Sequence, residues 1–335
     1  MSNKQRQALN MLQNYIEWYK TWKAIPVVAW VRAAENFKQG KFQEARELYL
    51  KGLNKNQKHI ASYCARLDLA HCHFRLGEFA KATDQLRQVM HQIPNLKEAY
   101  IRMARMQMWT GEYMEAVWTM RKALRELEHD SELVALFLTS VLENNGPGYL
   151  LDEGEEAYKS LSEEEKQNEK LEVAVARLEI YRGDYRKGRS RLSTLASGSS
   201  APFEAVVAYG EILLKEGRVS IARQQLRRAL IVAPNHPKVL SLFAWTYLKS
   251  GPYYNADFAK QTAISAAQHS GWRSPEALHV LAESYYALGD NITALATAVS
   301  AKEAGGKLLS HYKDARSIDM LIESISAEAE QKSAS

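Results

Sequence analysis

Seven glycines, Gly40, Gly77, Gly111, Gly183, Gly217, Gly251 and Gly289, each close a stretch of helical hydrophobic spacing, and the intervals between them constrain the fold more than any other feature. The interval is 34 residues from Gly77 to Gly111, from Gly183 to Gly217 and from Gly217 to Gly251. It is 37 from Gly40 to Gly77 and 38 from Gly251 to Gly289. Gly111 to Gly183 is 72, two periods plus four, which predicts one repeat without a glycine between them. Other positions keep the same register. Two after the glycine stand Phe42, Phe79, Tyr113, Tyr185, Val219 or Tyr253, and five after it Ala45, Ala82, Ala116, Ala222, Ala256 and Ala294, with Gly188 in the fifth repeat. Seven before it stand Ala33, Ala70, Ala104, Ala176, Gly210, Ala244 and Ala282, and Pro94 and Pro234 close repeats two and six.

Each residue type has a mechanical reason. Glycine permits the left-handed turn between two helices, a small residue lets paired helices approach closely, and the large apolar positions fill the space between neighbouring pairs. The register resembles the tetratricopeptide repeat family over residues 26–305, with repeats starting near Pro26, Tyr63, Lys97, Ser131, Glu169, Phe203, Pro237 and Pro275. The resemblance implies an all-α fold, a right-handed α-solenoid of about eight tetratricopeptide-type helix pairs with flanking N- and C-terminal helices. A single pair cannot bury its apolar face, so such an array is stable only as a capped series.

The expected organisation is a capping or interaction helix over 1–25, repeats one to three and the first helix of repeat four over 26–143, and an irregular acidic joint with the degenerate remainder of repeat four over 144–168. Repeats five to eight follow over 169–308, then a C-terminal capping helix and tail over 309–335. The joint is expected because Asn144-Asn145-Gly146-Pro147-Gly148 replaces the usual turn, and because Asp152 to Glu169 carries eight acids against two lysines. The N-terminal segment places Leu9, Leu12 and Ile16 at helical spacing, and Trp18 and Trp22 give it a second apolar face. That surplus leaves a membrane surface or a second copy of the chain open as its contact.

Composition narrows the function classes. With 46% apolar and 25% charged residues the chain can bury its own core. Its two cysteines, Cys64 and Cys72, lie eight apart on one helical pattern, too far to bridge, which suits a reducing compartment. A cytoplasmic location is expected, with attachment to the periphery of a membrane-bound complex left open, since no run of about 18 apolar residues occurs. The net charge of +5 is well short of that of a dedicated nucleic-acid binder, so no specific nucleic acid is expected.

Catalytic patterns are missing from the sequence. No glycine-rich phosphate loop, Gly-x-Ser-x-Gly or His-Glu-x-x-His stretch occurs. Cys64, Asp68, His71, Cys72 and His73 are ligand types, but at 100° per residue they fan round a helix, and Cys72 and His73 fall at buried register positions. Neither a metal nor another cofactor is expected, and the chain reads as a non-enzyme. A basic cluster, Arg182, Arg186, Lys187, Arg189 and Arg191 with Arg218, Arg223, Arg227 and Arg228 one repeat on, reads first as solvated surface. A second interaction surface at Arg186, Arg189, Arg223 and Arg227, and pairing with the chain's own acidic segment, stay open.

The function implied by the resemblance is a protein–protein adaptor or scaffold that holds a partner polypeptide on its concave face. A peptide-responsive regulator and a membrane-peripheral assembly factor are the alternatives. In this family the first helix of each repeat lines the concave face, at positions 13, 9, 6 and 2 before the turn glycine. That stripe supplies Cys64, Asp68, His71 and Arg75 in repeat two, and Glu98, Arg102, Arg105 and Trp109 in repeat three. Repeat five gives Arg177 and Tyr181, and repeat seven Trp245 and Lys249. Arginine beside exposed tryptophan is a hot-spot combination, pointing to a partner with acidic character, unless Glu98 pairs with Arg102 and Arg177 with Glu211. The family's clamp for a C-terminal carboxylate is not matched, since its positions hold Trp30, Ala34, Asp68, Glu98 and Arg102.

Overall fold

The computed structural model describes residues 25–55, 59, 61–308 and 312–334. Every regular element among them is helical, and none is long and apolar enough to cross a membrane. The N-terminal helix expected around Trp18 and Trp22 lies outside the described residues. The chain forms two units, residues 1–99 and 100–335.

In the first unit α1 (Ile25–Lys38) pairs with α2 (Phe42–Lys55), and α3 (Ser62–Arg75) with α4 (Phe79–Gln92). One core joins Trp30 and Ala33 of α1, Ala45, Tyr49 and Leu53 of α2, and Ala65, Leu69 and Cys72 of α3. Trp30 lies so close to Gly52 that a Cβ there would come within 2.2 Å of its indole nitrogen, so the tryptophan depends on the bare backbone opposite. Cys72 is a core residue, and His73, also buried, points its Nδ1 at the Glu78 carboxylate.

The second unit continues the pairing. The boundary between units falls within α5 (Lys97–Trp109), which precedes α6 (Tyr113–Glu126). Next come α7 (Ser131–Glu143), α8 (Gly148–Lys159), the single turn α9 (Glu163–Lys166), α10 (Glu169–Tyr181), α11 (Tyr185–Leu195), α12 (Phe203–Lys215) and α13 (Val219–Val232). The last are α14 (Pro237–Leu248), α15 (Ala256–His269), α16 (Pro275–Ala287), α17 (Asn291–Gly305) and α18 (Ala315–Ala334). α18 packs on α17 and contributes Ile318, Leu321 and Ile325 to the core shared with α14–α17.

Repeat four differs from the irregular joint expected of it. Asn145 stands 34 residues after Gly111 and takes φ +47°, the left-handed turn conformation that the other repeats give to glycine. Asparagine is the non-glycine residue best able to hold it, so the period continues and α8 forms. Its Leu150, Leu151, Gly154 and Ala157 are buried. The usual small residue seven before the turn is here Leu138, and the helix opposite compensates: a Cβ at Gly154 would meet Leu138 Cδ2 at 2.5 Å. The extra four residues before Gly183 are taken up by α9, which is held by a capping box between Ser162 and Glu165.

Candidate functional site

The inner stripe positions of α5, α7, α10, α12 and α14 converge in the second unit. Glu143 of α7 is the hub. Arg177 Nη2 donates to Glu143 Oε1 at 2.7 Å, and Lys238 Nζ of α14 donates to the same oxygen. Lys238 also reaches Glu211 Oε2 of α12 at 3.0 Å, and Lys313, from the segment before α18, reaches Glu211 Oε1 at 2.7 Å. All five side chains are largely buried. Burial opposes the charge on Glu143, but Arg177 and Lys238 outweigh it and hold its carboxyl below the usual range. Glu211 is likewise lowered against its burial, by Lys238 and Lys313.

This network does not sit in an open groove, because the turn of repeat three meets the start of repeat eight. Trp109 Nε1 donates to the His269 carbonyl at 2.8 Å, Tyr113 OH to Glu276 Oε2 at 3.3 Å, and Arg273 Nη1 to Glu112 Oε1 at 2.8 Å. Gly111 lies against the Ser274 backbone. The helices from α5 to α16 therefore close on one another, and the stripe faces an interior with two cavities. One, about 300 Å³, has walls from Trp109, Tyr113, Leu136, Val173, Phe203 and Val207, a rim of Arg105–Glu132 and Lys170–Glu204, and a floor of Glu143, Arg177, His236 and Lys238. The other, about 290 Å³, lies between α12, α14, α16 and residues 312–317.

His236 sits between the rings of Trp109 (4.7 Å between centroids) and Phe203 (5.3 Å). Burial, aided by Lys238 and opposed by Glu143, pushes its imidazole down to about 4. The folded protein therefore holds it neutral, while the unfolded chain takes up a proton near pH 6.5. Its contribution is complete above that pH and is lost as pH falls toward 4, on the order of 3 kcal/mol. Urea unfolding of His236→Phe should show a stability profile flatter than the wild type between pH 7 and pH 4; profiles that coincide would place the acid sensitivity elsewhere.

The residues singled out from the sequence divide among three settings. Asp68, His71 and Arg75 belong to the first unit, where Asp68 accepts from Tyr49 OH at 3.0 Å, His71 stands edge-on to Phe37 and Arg75 lies 4.9 Å from the Phe42 ring centre. Arg102, half-buried, is on α5. Arg105, Trp109 and Arg177 line the first cavity, Trp245 and Lys249 the second, and Arg177 and Tyr181 a smaller recess beside α12. Trp109 and Trp245 are half-buried rather than exposed, Trp109 because the closure brings His236 against its ring and Trp245 because His279 of the next repeat stands edge-on to it. Arg177 pairs with Glu143 rather than with Glu211.

The basic cluster is also rearranged. Arg223, expected at a surface, is buried, its guanidinium stacked 3.9 Å from the Tyr247 ring centre and 4.0 Å from that of Tyr253, and donating to the Thr246 carbonyl. Arg189 bonds both oxygens of Glu216, and Lys187 and Arg191 share Glu179. Arg182 reaches Asp152 and Glu155, so the acidic segment takes up one arginine of the cluster. Arg186 and Arg227 are exposed. Among the described residues no group of three or more His, Cys, Asp or Glu side chains could hold a metal ion.

Glu132, Leu136, Thr139 and Glu143 are the stripe residues that the sequence reading missed. The signal was present, since counting 34 from Gly111 reaches Asn145, and counting 13, 9, 6 and 2 back from there gives these four.

Comparison with known proteins agrees with this register. Residues 36–100 match the tetratricopeptide repeat as a sequence family. No curated protein matches the chain in sequence. Among solved structures, a tetratricopeptide repeat protein from Parabacteroides merdae aligns at 13% identity and TM-score 0.55, over 77% of this chain and 98% of its own. A chain of the Cut9–Hcn1 hetero-tetramer of the APC/C aligns at 12% identity and TM-score 0.66, over 92% of this chain and 64% of its own. Residues 36–100 thus match the tetratricopeptide repeat by sequence, and the helix pairs of the described chain share the fold of these solved structures.

Proposed function

We propose that the chain is a non-enzymatic protein–protein interaction scaffold, and that its second unit captures a partner polypeptide by taking an apolar side chain into the cavity walled by Trp109, Leu136, Phe203 and Val207. The observation that carries this reading is the construction of that cavity. Its wall is apolar and its size, about 300 Å³, is at the lower end of ligand sites and large enough for one bulky side chain. Its rim consists of ion pairs exposed enough to exchange partners. Arg105 and Glu132, 2.7 Å apart, are 48% and 38% exposed, so the pair contributes little to stability, and an acidic residue of a partner competes with Glu132 for Arg105 at small cost. A related fold stands within an assembly of two different proteins in the Cut9–Hcn1 hetero-tetramer.

The reading is tested by placing a photo-crosslinking residue at Leu136, in the cavity wall, and at Ile231, 83% exposed on α13. In extract of the native cell, Leu136 should capture a discrete polypeptide that Ile231 does not. Introducing Arg105→Glu should remove that adduct while leaving helicity unchanged. Adducts from Ile231 alone would move partner binding to the outer surface.

A further inference from the structure

The second cavity, between α12, α14, α16 and residues 312–317, is of a different character. Two lysines stand in its floor. An ammonium has three donors. Lys238 uses two, on Glu143 and Glu211, and Lys313 uses one, on Glu211, which leaves one and two N–H groups for a further acceptor. Beside them Glu276 is fully buried; its Oε2 accepts from Ser274 and Tyr113, while its Oε1 has no hydrogen-bond partner. His279, 1% exposed, also leaves Nε2 without a hydrogen bond, with Glu283 Oε1 3.6 Å away.

Charge points the same way. The buried network holds three cations, Arg177, Lys238 and Lys313, against the ionised Glu143 and Glu211. Glu276 is pushed up by burial, opposed by Lys313. At the mouth Lys215 and Lys249 balance Glu283 and Asp314, and the Trp245 ring supplies an apolar wall. Glu143 is shared by Arg177 and Lys238, and Glu211 by Lys238 and Lys313, so each lysine holds only part of a carboxylate and a further anion of the right size adds to that pairing.

We propose that this cavity binds a small organic carboxylate, its anion seated between the Lys238 and Lys313 ammoniums and its carbon body against Trp245. The residues come from repeats six to eight and from the segment after the array; Lys238 lines both cavities, while Trp245 and Lys313 belong to this one. At about 290 Å³ it suits a ligand on the order of ten heavy atoms.

Calorimetric titration of the full chain with 3-phenylpropionate, its neutral amide and inorganic phosphate tests this. The acid should bind at least ten-fold more tightly than either. Because Lys313→Met would remove one of the buried partners of Glu211 and endanger the fold, the variant chosen is Ser317→Trp, which fills the cavity from its wall without replacing a member of the network. It should weaken the acid at least ten-fold with an unchanged melting temperature. Equal binding of acid and amide, phosphate binding as tightly as the acid, no heat at millimolar acid, or wild-type affinity in Ser317→Trp would each overturn the proposal. So would a ten-fold preference for acetyl-Gly-Gly-Phe over the free acid, which would assign the anion to a polypeptide end.

Discussion

Replacing Glu143 with glutamine should lower the unfolding free energy of the full chain by about 3–5 kcal/mol, the cost of removing one partner from a buried ion network. The substitution keeps volume and one acceptor but leaves Arg177 and Lys238 facing each other across an uncharged group, with Glu211 alone to balance them. Urea denaturation monitored by circular dichroism measures this. The matched control is Glu132→Gln, which removes the exposed partner of Arg105 and should change stability by less than about 1 kcal/mol. If the two variants are equally stable, the interior is hydrated enough to screen these charges, and the account of the network given above is wrong.

Gly111→Ala should be the second large effect, at about 2–5 kcal/mol. Two costs combine. At φ +77° an alanine is in the left-handed region, worth about 1–2 kcal/mol, and its Cβ would lie 2.7 Å from the Ser274 Cα, a backbone atom that cannot swing away, adding roughly 1–3 kcal/mol of overpacking. Gly217→Ala separates them: φ is +75° and a Cβ there meets nothing within 4 Å, so only the first cost applies. Gly111→Ala should also raise hydrogen exchange at Trp109 and Ser274 together. Matching stabilities for the two variants would show that the approach of residues 111 and 274 is loose.

The glycine register made the helix pairs, their order and the inner stripe legible before any coordinates, because a turn conformation and a close helix approach each admit few residue types. Repeat four was misread for a related reason. Asn145 can adopt the same turn, and Leu138 with Gly154 exchanges the sizes of two facing positions while conserving their sum, so residue-by-residue matching fails where the volume still fits. The closure was not legible at all. Trp109, Tyr113 and Glu276 are unremarkable in a periodic pattern, and what brings them together is the small rotation between successive pairs accumulated over repeats three to eight. That accumulated rotation also half-buries Trp109 against His236, while Trp245 is covered by His279 of the neighbouring repeat.

Joining residue 111 to residue 274 has a kinetic consequence. In an open solenoid every contact is between neighbours, folding can begin anywhere, and end repeats fray independently of the middle. Contacts separated by 160 to 163 residues break that independence: the helices between them must be in place before the seam can form, and chain closure of that length is entropically slow. The second unit should consequently fold late and unfold as one cooperative block, with repeats seven and eight as protected from exchange as repeat four, where a linear array of equal length would peel from its C-terminal end.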